Sequence, residues 1–277
     1  MVEGQGRESW EQVTDRTVSG IAKLGKFTEA ETALVREMQE KQQVLPSGRW
    51  LWTGGTAWLD DPKNFSGSYN CTSTRVTDIQ SLALMMDLAM MGSGTGAVIE
   101  DRHLSKLPAV RNRIQVIDVG SVGGSSPKNR SEHTYVNTRG NDVVIDCGDS
   151  RTGWVEAYEA FLDLAFSTEF DHTRPVKVHV DLSRVRSAGQ KLKGFGGTSN
   201  PVKLPDLFPR LANILNGAFG RQLTSIEVCL LIDEAAVTIV AGNIRRSAGM
   251  RQFSSDDEAA AGAKDNLWQQ DDEGHWR

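Results

Sequence analysis

The spacing of apolar residues along this chain predicts five amphipathic helices. Thr28 and Glu31 fit a capping box at the start of the first helix. Asp78 fits the N-cap of the second, which keeps helical apolar spacing to about Met91. The other three are predicted over residues 154–165, 205–216 and 224–242, and the last of them starts with a capping pair of Thr224 and Glu227. The last one is expected to be buried, because its stripe is nearly all apolar: Ile226, Leu230, Ile232, Val237, Ile239 and Val240.

Short apolar runs between these helices predict strands. Residues 97–99 and 143–146 are two such runs, and residues 176–182 alternate strictly between apolar and polar. Strands that alternate with helices favour an α/β architecture with mainly parallel strands. Residues 121–141 are rich in Gly, Ser, Asn and Arg, and predict either a long loop or an inserted hairpin.

Composition and charge exclude several classes of protein. The chain has 277 residues, of which 39% are hydrophobic, and this suits one large globular domain or two small ones. A net charge of -5 without a run of Lys and Arg argues against nucleic-acid binding. No apolar stretch is long enough to cross a membrane. The polar N-terminal residues are unlike a secretory signal, so the expected location is cytoplasmic.

The cysteines and histidines do not predict a metal site. Three widely spaced cysteines form no Cys-x-x-Cys pair, and five histidines show no metal-ligand spacing. Cys71 lies in a polar segment near a predicted helix N-terminus, which suits either a redox-active thiol or a structural one. Cys147 and Cys229 have apolar neighbours and are expected to be inert.

Three glycine-containing segments have two interpretations each. Residues 92–96 lie between a helix and a strand, the reverse of the order in phosphate-binding loops, and form either a tight turn or a ligand contact. Residues 194–201 either present backbone N–H groups to an anion or simply connect a strand to a helix. Residues 242–248, with two adjacent arginines, suit phosphate or base recognition, or a solvated helix end.

The ordered set of motifs resembles a known family. Leu45-Pro-Ser-Gly-Arg-Trp50, Gly54-Gly-Thr56, Tyr69-Asn-Cys71, Gly92-Ser-Gly-Thr-Gly96, Lys193-Gly-Phe-Gly-Gly197 and Ala241-Gly-Asn-Ile-Arg-Arg-Ser-Ala248 follow one another. Together they resemble the N-terminal part of adenosylcobalamin-dependent (class II) ribonucleotide reductases of the monomeric ribonucleoside-triphosphate type. The resemblance implies half of a ten-stranded α/β barrel, with a helical region over residues 1–60, the first barrel half over residues 61–277, and an effector-binding insert near residues 101–150.

The resemblance also implies roles for individual residues. Cys71 matches one member of the pair of cysteines that reduces the substrate. Substrate contacts are implied for Asn70, Thr72, Gly92, Ser93 and Gly94. Effector contacts are implied for Asp78, Arg102, His103, Lys106, Asn243, Arg245 and Arg246.

The resemblance implies a ribonucleoside triphosphate substrate, a deoxynucleoside triphosphate effector, a thioredoxin-like reductant and adenosylcobalamin bound mainly by a part that this chain lacks. The family's Asn-Pro-Cys-Gly-Glu motif, which carries the radical cysteine, is absent from the sequence. We therefore expect a split half, an intein-interrupted product or a truncated product that is inactive without a complementary C-terminal chain. The alternatives are a nucleotide-binding regulatory module without catalysis and a non-functional remnant.

Overall fold

A computed structural model describes residues 7–124, 126–190, 199–239 and 248–265. The chain divides into two compact units. The first comprises Met1–Thr72 with Met91–Ser93, and the second Ser73–Met90 with Gly94–Arg277.

The first unit is helical over its described residues. Its elements are α1 (Trp10–Gly25), α2 (Glu29–Glu40), α3 (Gly48–Thr53), α4 (Ala57–Asp60) and a 3-10 helix (Pro62–Ser68). The predicted capping box at Thr28 and Glu31 is confirmed at the start of α2. A second box, formed by Ser9 and Gln12, begins α1, a helix that the apolar pattern did not predict.

The remaining elements follow strand β1 (Cys71–Arg75), which begins in the first unit and continues into the second. The helices are α5 (Ile79–Met90), α6 (Asp101–Leu104), α7 (Arg151–Phe166), α8 (Leu204–Gly217), α9 (Ser225–Ile239) and α10 (Glu258–Gly262). The strands are β2 (Gly94–Val98), β3 (Ile114–Val119), β4 (Tyr135–Arg139), β5 (Asp142–Asp146), β6 (Val176–Asp181) and β7 (Gly249–Gln252).

The strands form two sheets. One has the order β1-β2-β7, and β2 pairs with β7 in parallel. The other has the order β3-β6-β5-β4, with β4 antiparallel to β5 and the other pairs parallel. The predicted α/β class is confirmed. The β4–β5 hairpin covers residues 135–146, so it overlaps only the end of residues 121–141, for which a long loop or an inserted hairpin was predicted. The half barrel stays a prediction.

The core of the second unit joins helices α7, α8 and α9. The Phe161 and Phe208 rings of α7 and α8 lie 5.4 Å apart between centroids. The Tyr158 side chain of α7 is fully buried, and its hydroxyl donates to the Leu231 carbonyl oxygen of α9 at 3.0 Å. A buried hydroxyl without a hydrogen-bond partner would destabilise the fold. The bond to Leu231 therefore satisfies this hydroxyl and links α7 to α9.

Two predictions need correction. Strand β2 begins at Gly94 rather than Ala97 and ends before Ile99, because residues 95–98 pair with β7 despite their small side chains. Helix α9 buries its predicted apolar stripe only in part: Ile232 is 4% exposed, whereas Leu230 and Val237 are 44% and 40% exposed. Val240, the last residue of that stripe, lies outside the described residues. The buried face is displaced around the helix, at the spacing that one helical face requires, and consists of Ser225, Val228, Leu231, Ile232, Ala235 and Thr238.

Among the described residues, no helix combines the length and the apolar character that crossing a bilayer requires.

Candidate functional site

Arg49 is the centre of a hydrogen-bonded frame in the first unit. Its guanidinium donates to the carbonyl oxygens of Gly67 at 3.2 Å, Met91 at 2.6 Å and Gly92 at 2.5 Å. One side chain therefore joins helix α3 to two segments that are distant from it in sequence. A planar guanidinium suits this task, because its donors point in fixed directions.

Ser93 adds a second link to this frame. Its side chain is completely buried, and its hydroxyl donates to the Tyr69 carbonyl oxygen at 2.8 Å. Gly92, the preceding residue, has φ +73°, a left-handed conformation that glycine adopts without steric cost. The frame therefore holds residues 67–69 against residues 91–93.

The residues predicted to contact substrate divide between the two units. Asn70 and Thr72 lie one and three residues after Tyr69, whose carbonyl oxygen the frame binds. Gly92 and Ser93 belong to the frame itself, and all four residues lie in the first unit. Gly94 is the first residue of β2 and belongs to the second unit. The structure thus brings together four of the five predicted substrate residues in one unit.

The three cysteines have different environments. Cys71 is exposed at the start of β1, directly after the frame. Cys147 is fully buried, and burial raises the pKa of its thiol to about 12. Cys229 is partly buried, and burial raises the pKa of its thiol as well. Of the three cysteines, Cys71 is therefore the one whose sulfur a reagent in solution can reach.

Electrostatics connect Arg49 with Cys71. Burial lowers the pKa of the Arg49 guanidinium, and the charge of the nearby Cys71 sulfur acts in the opposite direction. The Arg49 guanidinium is thus a partly buried cation that three carbonyl oxygens hold in place.

A second cluster lies in the second unit around His103. This histidine is 9% exposed, and its Nδ1 atom has no hydrogen-bond partner among the described residues. Its pKa is lowered first by burial and then by the positive charges of Arg102, Lys106 and Arg75, against the opposing effect of Glu100. Several cations around a buried nitrogen without a partner suit an anionic ligand such as a phosphate group.

The predicted effector residues are placed only in part. Arg102, His103 and Lys106 share this cluster, and Arg102 is paired with Glu100 at 2.6 Å. Asp78 instead caps α5, since its carboxylate accepts from the Ser81 backbone N–H at 2.7 Å, which confirms the predicted N-cap. Three further predicted effector residues lie outside the described residues: Asn243, Arg245 and Arg246.

Strand β7 places the end of the predicted effector segment beside β2. The Thr95 backbone N–H donates to the Ala248 carbonyl oxygen at 2.8 Å. Arg251 reinforces this junction, because its guanidinium donates to Asp233 on α9 at 2.5 Å and lies 3.4 Å from the Thr95 carbonyl oxygen. A segment predicted to contact effector is thus hydrogen-bonded to a strand whose start is predicted to contact substrate.

Sequence patterns did not single out two of these residues. Arg49 stands only within the motif Leu45–Trp50, and Arg75 lies outside all the motifs described above. An arginine in a short Ser-Gly segment ahead of several tryptophans is a weak signal by itself. Among the described residues, no group of three or more His, Cys, Asp or Glu side chains is arranged to hold a metal ion.

Comparisons with known proteins confirm the resemblance that the motifs predicted. Residues 124–215 match a family model described as the insertion domain of B12-dependent ribonucleotide reductase. An adenosylcobalamin-dependent ribonucleoside-triphosphate reductase of Levilactobacillus brevis is 28% identical over 93% of this chain and 40% of its own length. A reductase of the same name from Lactobacillus delbrueckii subsp. bulgaricus is 29% identical over 91% of this chain and 39% of its own length.

A solved structure gives the same result for the fold. A crystal structure of a B-12 dependent (class II) ribonucleotide reductase matches 94% of this chain and 40% of that chain, with a TM-score of 0.71 and 23% identity. The chain therefore resembles class II reductases along nearly all of its length but spans only about 40% of the relatives it matches. The relatives' names agree with adenosylcobalamin as the cofactor of these enzymes.

Proposed function

We propose that this chain is the N-terminal part of an adenosylcobalamin-dependent ribonucleoside-triphosphate reductase, which converts ribonucleotides to deoxyribonucleotides for DNA synthesis. The observation that carries the proposal is similarity to such reductases over 93% of this chain. The exposed Cys71 thiol beside the Arg49 frame supports it, since the proposed chemistry requires an accessible thiol.

Cys71 is the redox-active residue in this proposal. Removal of the substrate's 2′-hydroxyl as water consumes two electrons, which two thiols supply as they become a disulfide. Cys71 is one of these thiols, and its partner lies in a part of the reductase that this chain does not contain. Cys147 is a poor candidate for the partner because its thiol is fully buried.

The frame residues position the substrate in this proposal. Asn70 and Thr72 flank Cys71 along the chain, and the frame links Gly92 and Ser93 to the segment that precedes them. We assign no residue of this chain to the cofactor, because the chain spans only about 40% of its relatives. When bound, adenosylcobalamin supplies the radical that starts the reaction.

The cluster around His103 is the proposed effector site. The positive charges of Arg102 and Lys106 act on His103, and such a group of cations suits the phosphate groups of a deoxynucleoside triphosphate. Asn243, Arg245 and Arg246 complete the effector contacts in this proposal, and a thioredoxin-like dithiol restores the reduced cysteines. The Leu230 and Val237 side chains of α9 are exposed, and a complementary C-terminal chain would bury them in this proposal.

A nucleotide-binding regulatory module is the second candidate function. The observation that favours it is the same cationic cluster, which lies in the second unit and needs no cysteine to bind an anion. Both candidates predict nucleotide binding, but only the reductase predicts turnover after a C-terminal part is added.

A reconstitution assay tests the proposed reductase. The purified chain is incubated with adenosylcobalamin, dithiothreitol and ribonucleoside triphosphates, alone and together with a C-terminal half that carries Asn-Pro-Cys-Gly-Glu. We expect deoxynucleotide formation only in the mixture. Turnover by the chain alone would mean that another cysteine carries the radical, and no turnover in either case would favour the regulatory module.

Two variants control this assay. Cys71→Ser is expected to abolish turnover in the mixture, because a hydroxyl does not form a disulfide. Cys229→Ser changes the same atom at a partly buried site and is expected to retain turnover. Equal turnover of Cys71→Ser and the unmodified chain would contradict the redox role.

A further inference from the structure

The β3 edge of the sheet β3-β6-β5-β4 is closed by a side chain of α8. The Arg113 carbonyl oxygen accepts from the Val176 backbone N–H of β6, so the N–H and C=O groups of Ile114 point the other way, to the edge. The Asn216 amide accepts from this N–H and donates to this carbonyl oxygen, both at 2.8 Å. The pairing of β3 with β6 also shifts its register within the strand. An occupied and irregular edge opposes pairing with another strand.

The opposite edge, formed by β4, has no such protection. All five residues of β4 are exposed, and its ladder with β5 runs without a shift from Tyr135 to Arg139. The strand contains no Pro or Lys, the residues that commonly blunt an edge, and its Tyr, Val and Thr favour strands. In the part of the chain that the structure describes, residues 135–139 form no backbone–backbone hydrogen bond other than those with β5.

The hairpin register determines which backbone groups face this open edge. Arg139 and Asp142 flank a two-residue loop, and residues in that position form a hydrogen-bonded pair. Such pairs alternate with non-hydrogen-bonded pairs along an antiparallel ladder, so the N–H and C=O groups of Val136 and Thr138 point outward. The preceding outward N–H, that of Thr134, agrees with this assignment, because it donates to a carboxylate of α7 at 2.8 Å rather than to β5.

We propose that the β4 edge is a dimerisation surface, which pairs antiparallel with the β4 edge of a second copy of this chain about a two-fold axis at Asn137. In this register Val136 lies opposite Thr138 of the second copy, and each such pair exchanges both of its backbone hydrogen bonds. All the outward groups of these two residues are then satisfied. A register shifted by two residues would leave half of them without a partner in the opposite strand.

The side chains of β4 suit the same register. On one face, Asn137 meets its own counterpart, and two amides can hydrogen-bond to each other. On that face Tyr135 also lies opposite Arg139 of the second copy, which suits a cation–π contact. On the other face, Val136 and Thr138 form a cross-strand pair of β-branched side chains. The only charged residue of the strand therefore meets an aromatic ring rather than a like charge.

The closed β3 edge limits this assembly to two copies. A sheet that grows further needs a second open edge, and Asn216 occupies that edge in each copy. A dimer of this kind is independent of the proposed reductase activity. It differs from the monomeric type that the resemblance implies.

Sedimentation equilibrium of the intact chain tests the dimer. The weight-average mass is expected to rise from that of one chain towards about twice that value between ~1 and ~200 µM, because a single strand pair is a small interface. Asn137→Asp and Asn137→Lys each place two like charges at the two-fold axis, and each should raise the dimer Kd at least about tenfold. A mixture of the two variants places opposite charges there and should dimerise again. Only contact of residue 137 with its own counterpart predicts this rescue.

Two substitutions at Thr138 test the backbone hydrogen bonds. Thr138→Pro removes an N–H that points outward, so it should abolish dimerisation while keeping the ladder with β5. Thr138→Val is the matched control, because it keeps the N–H and should leave the dimer Kd within about threefold. Circular dichroism checks that each variant is folded. In hydrogen exchange, peptides covering residues 135–139 should exchange more slowly at high chain concentration, whereas peptides covering residues 114–119 should not change.

Each outcome decides the proposal. A chain that stays monomeric at the highest concentration overturns it, and so does a mass that continues to rise beyond two copies. A dimer that Thr138→Pro leaves unchanged, or one that the mixture of Asn137 variants does not restore, places the interface elsewhere. Loss of association in each Asn137 variant with recovery in their mixture supports the β4 interface, whether or not the reconstituted reductase is active.

Discussion

Replacing Asp149 by alanine should destabilise the sheet β3-β6-β5-β4 more than any exposed acidic substitution in the same region. The Asp149 side chain is 5% exposed and pairs with Arg186. Its Oδ1 atom accepts from both the backbone N–H and Nε of Arg186 at 2.9 Å, and Arg130 lies 3.5 Å from Oδ2. This carboxylate fastens the segment after β6 to the segment after β5.

The size of the effect follows from what the substitution leaves behind. Removing one member of a buried ion pair costs about 3–5 kcal/mol, because the remaining charge stays desolvated. The Arg186 side chain is 23% exposed and recovers part of its hydration, so we expect Asp149→Ala to lower the free energy of unfolding by about 2–4 kcal/mol. Asp149→Asn keeps one oxygen for the Arg186 donors and should cost about half as much.

Urea denaturation followed by circular dichroism measures this free energy, and hydrogen exchange of residues 142–146 and 176–181 locates the loss. Asp142→Ala, at an exposed position of β5, is the control and should change stability by less than about 0.5 kcal/mol. If Asp149→Ala cost no more than Asp142→Ala, the network would contribute nothing to the sheet and the reasoning would be refuted.

Three further predictions concern pH, packing and thiol chemistry. Burial lowers the pKa of His103, and the negative charge of a bound triphosphate would raise it. The affinity for a deoxynucleoside triphosphate should therefore increase as the pH falls from about 7.5 to 5.5, by about tenfold for each unit by which binding raises the His103 pKa. His103→Gln should remove this pH dependence in equilibrium dialysis, and an unchanged profile would exclude His103 from the site. Tyr158→Phe should cost about 1 kcal/mol in thermal or urea unfolding, because it removes only the hydrogen bond to Leu231. In native labelling at neutral pH, Cys71 should react while Cys147 reacts only after unfolding, and equal rates would contradict the burial of Cys147.

Local signals in the sequence predicted five of the six described helices that have twelve or more residues, and three of the seven described strands. The capping boxes at Thr28 and Thr224 begin α2 and α9, and the strict alternation of residues 176–182 matches β6. Helix α1 was missed although Ser9 and Gln12 form a capping box, because its polar residues outnumber its apolar ones. Strand β4 was also hard to predict, since every one of its residues is exposed and alternation carries no signal there.

Features that depend on distant contacts could not be predicted in this way. Gly96 pairs with Met250 of β7, although glycine is depleted in strands. The hydrogen bonds of Arg49 reach residues 18, 42 and 43 positions away. No periodicity reports such contacts, so Cys71 was identified from sequence but the frame that holds it was not.

The pairing of β2 with β7 has a consequence for how this chain is made. Arg251 and Thr95 are 156 residues apart in sequence, and the whole of the sheet β3-β6-β5-β4 lies between them. On a ribosome, β2 emerges long before the strand that covers its edge, whereas the intervening strands and helices find their partners sooner. Late docking of β7 leaves an open strand edge on the nascent chain for most of its synthesis, which is the condition that favours chaperone capture or misassembly. The junction at Thr95 and Ala248 is therefore expected to be among the last parts of the described fold to form.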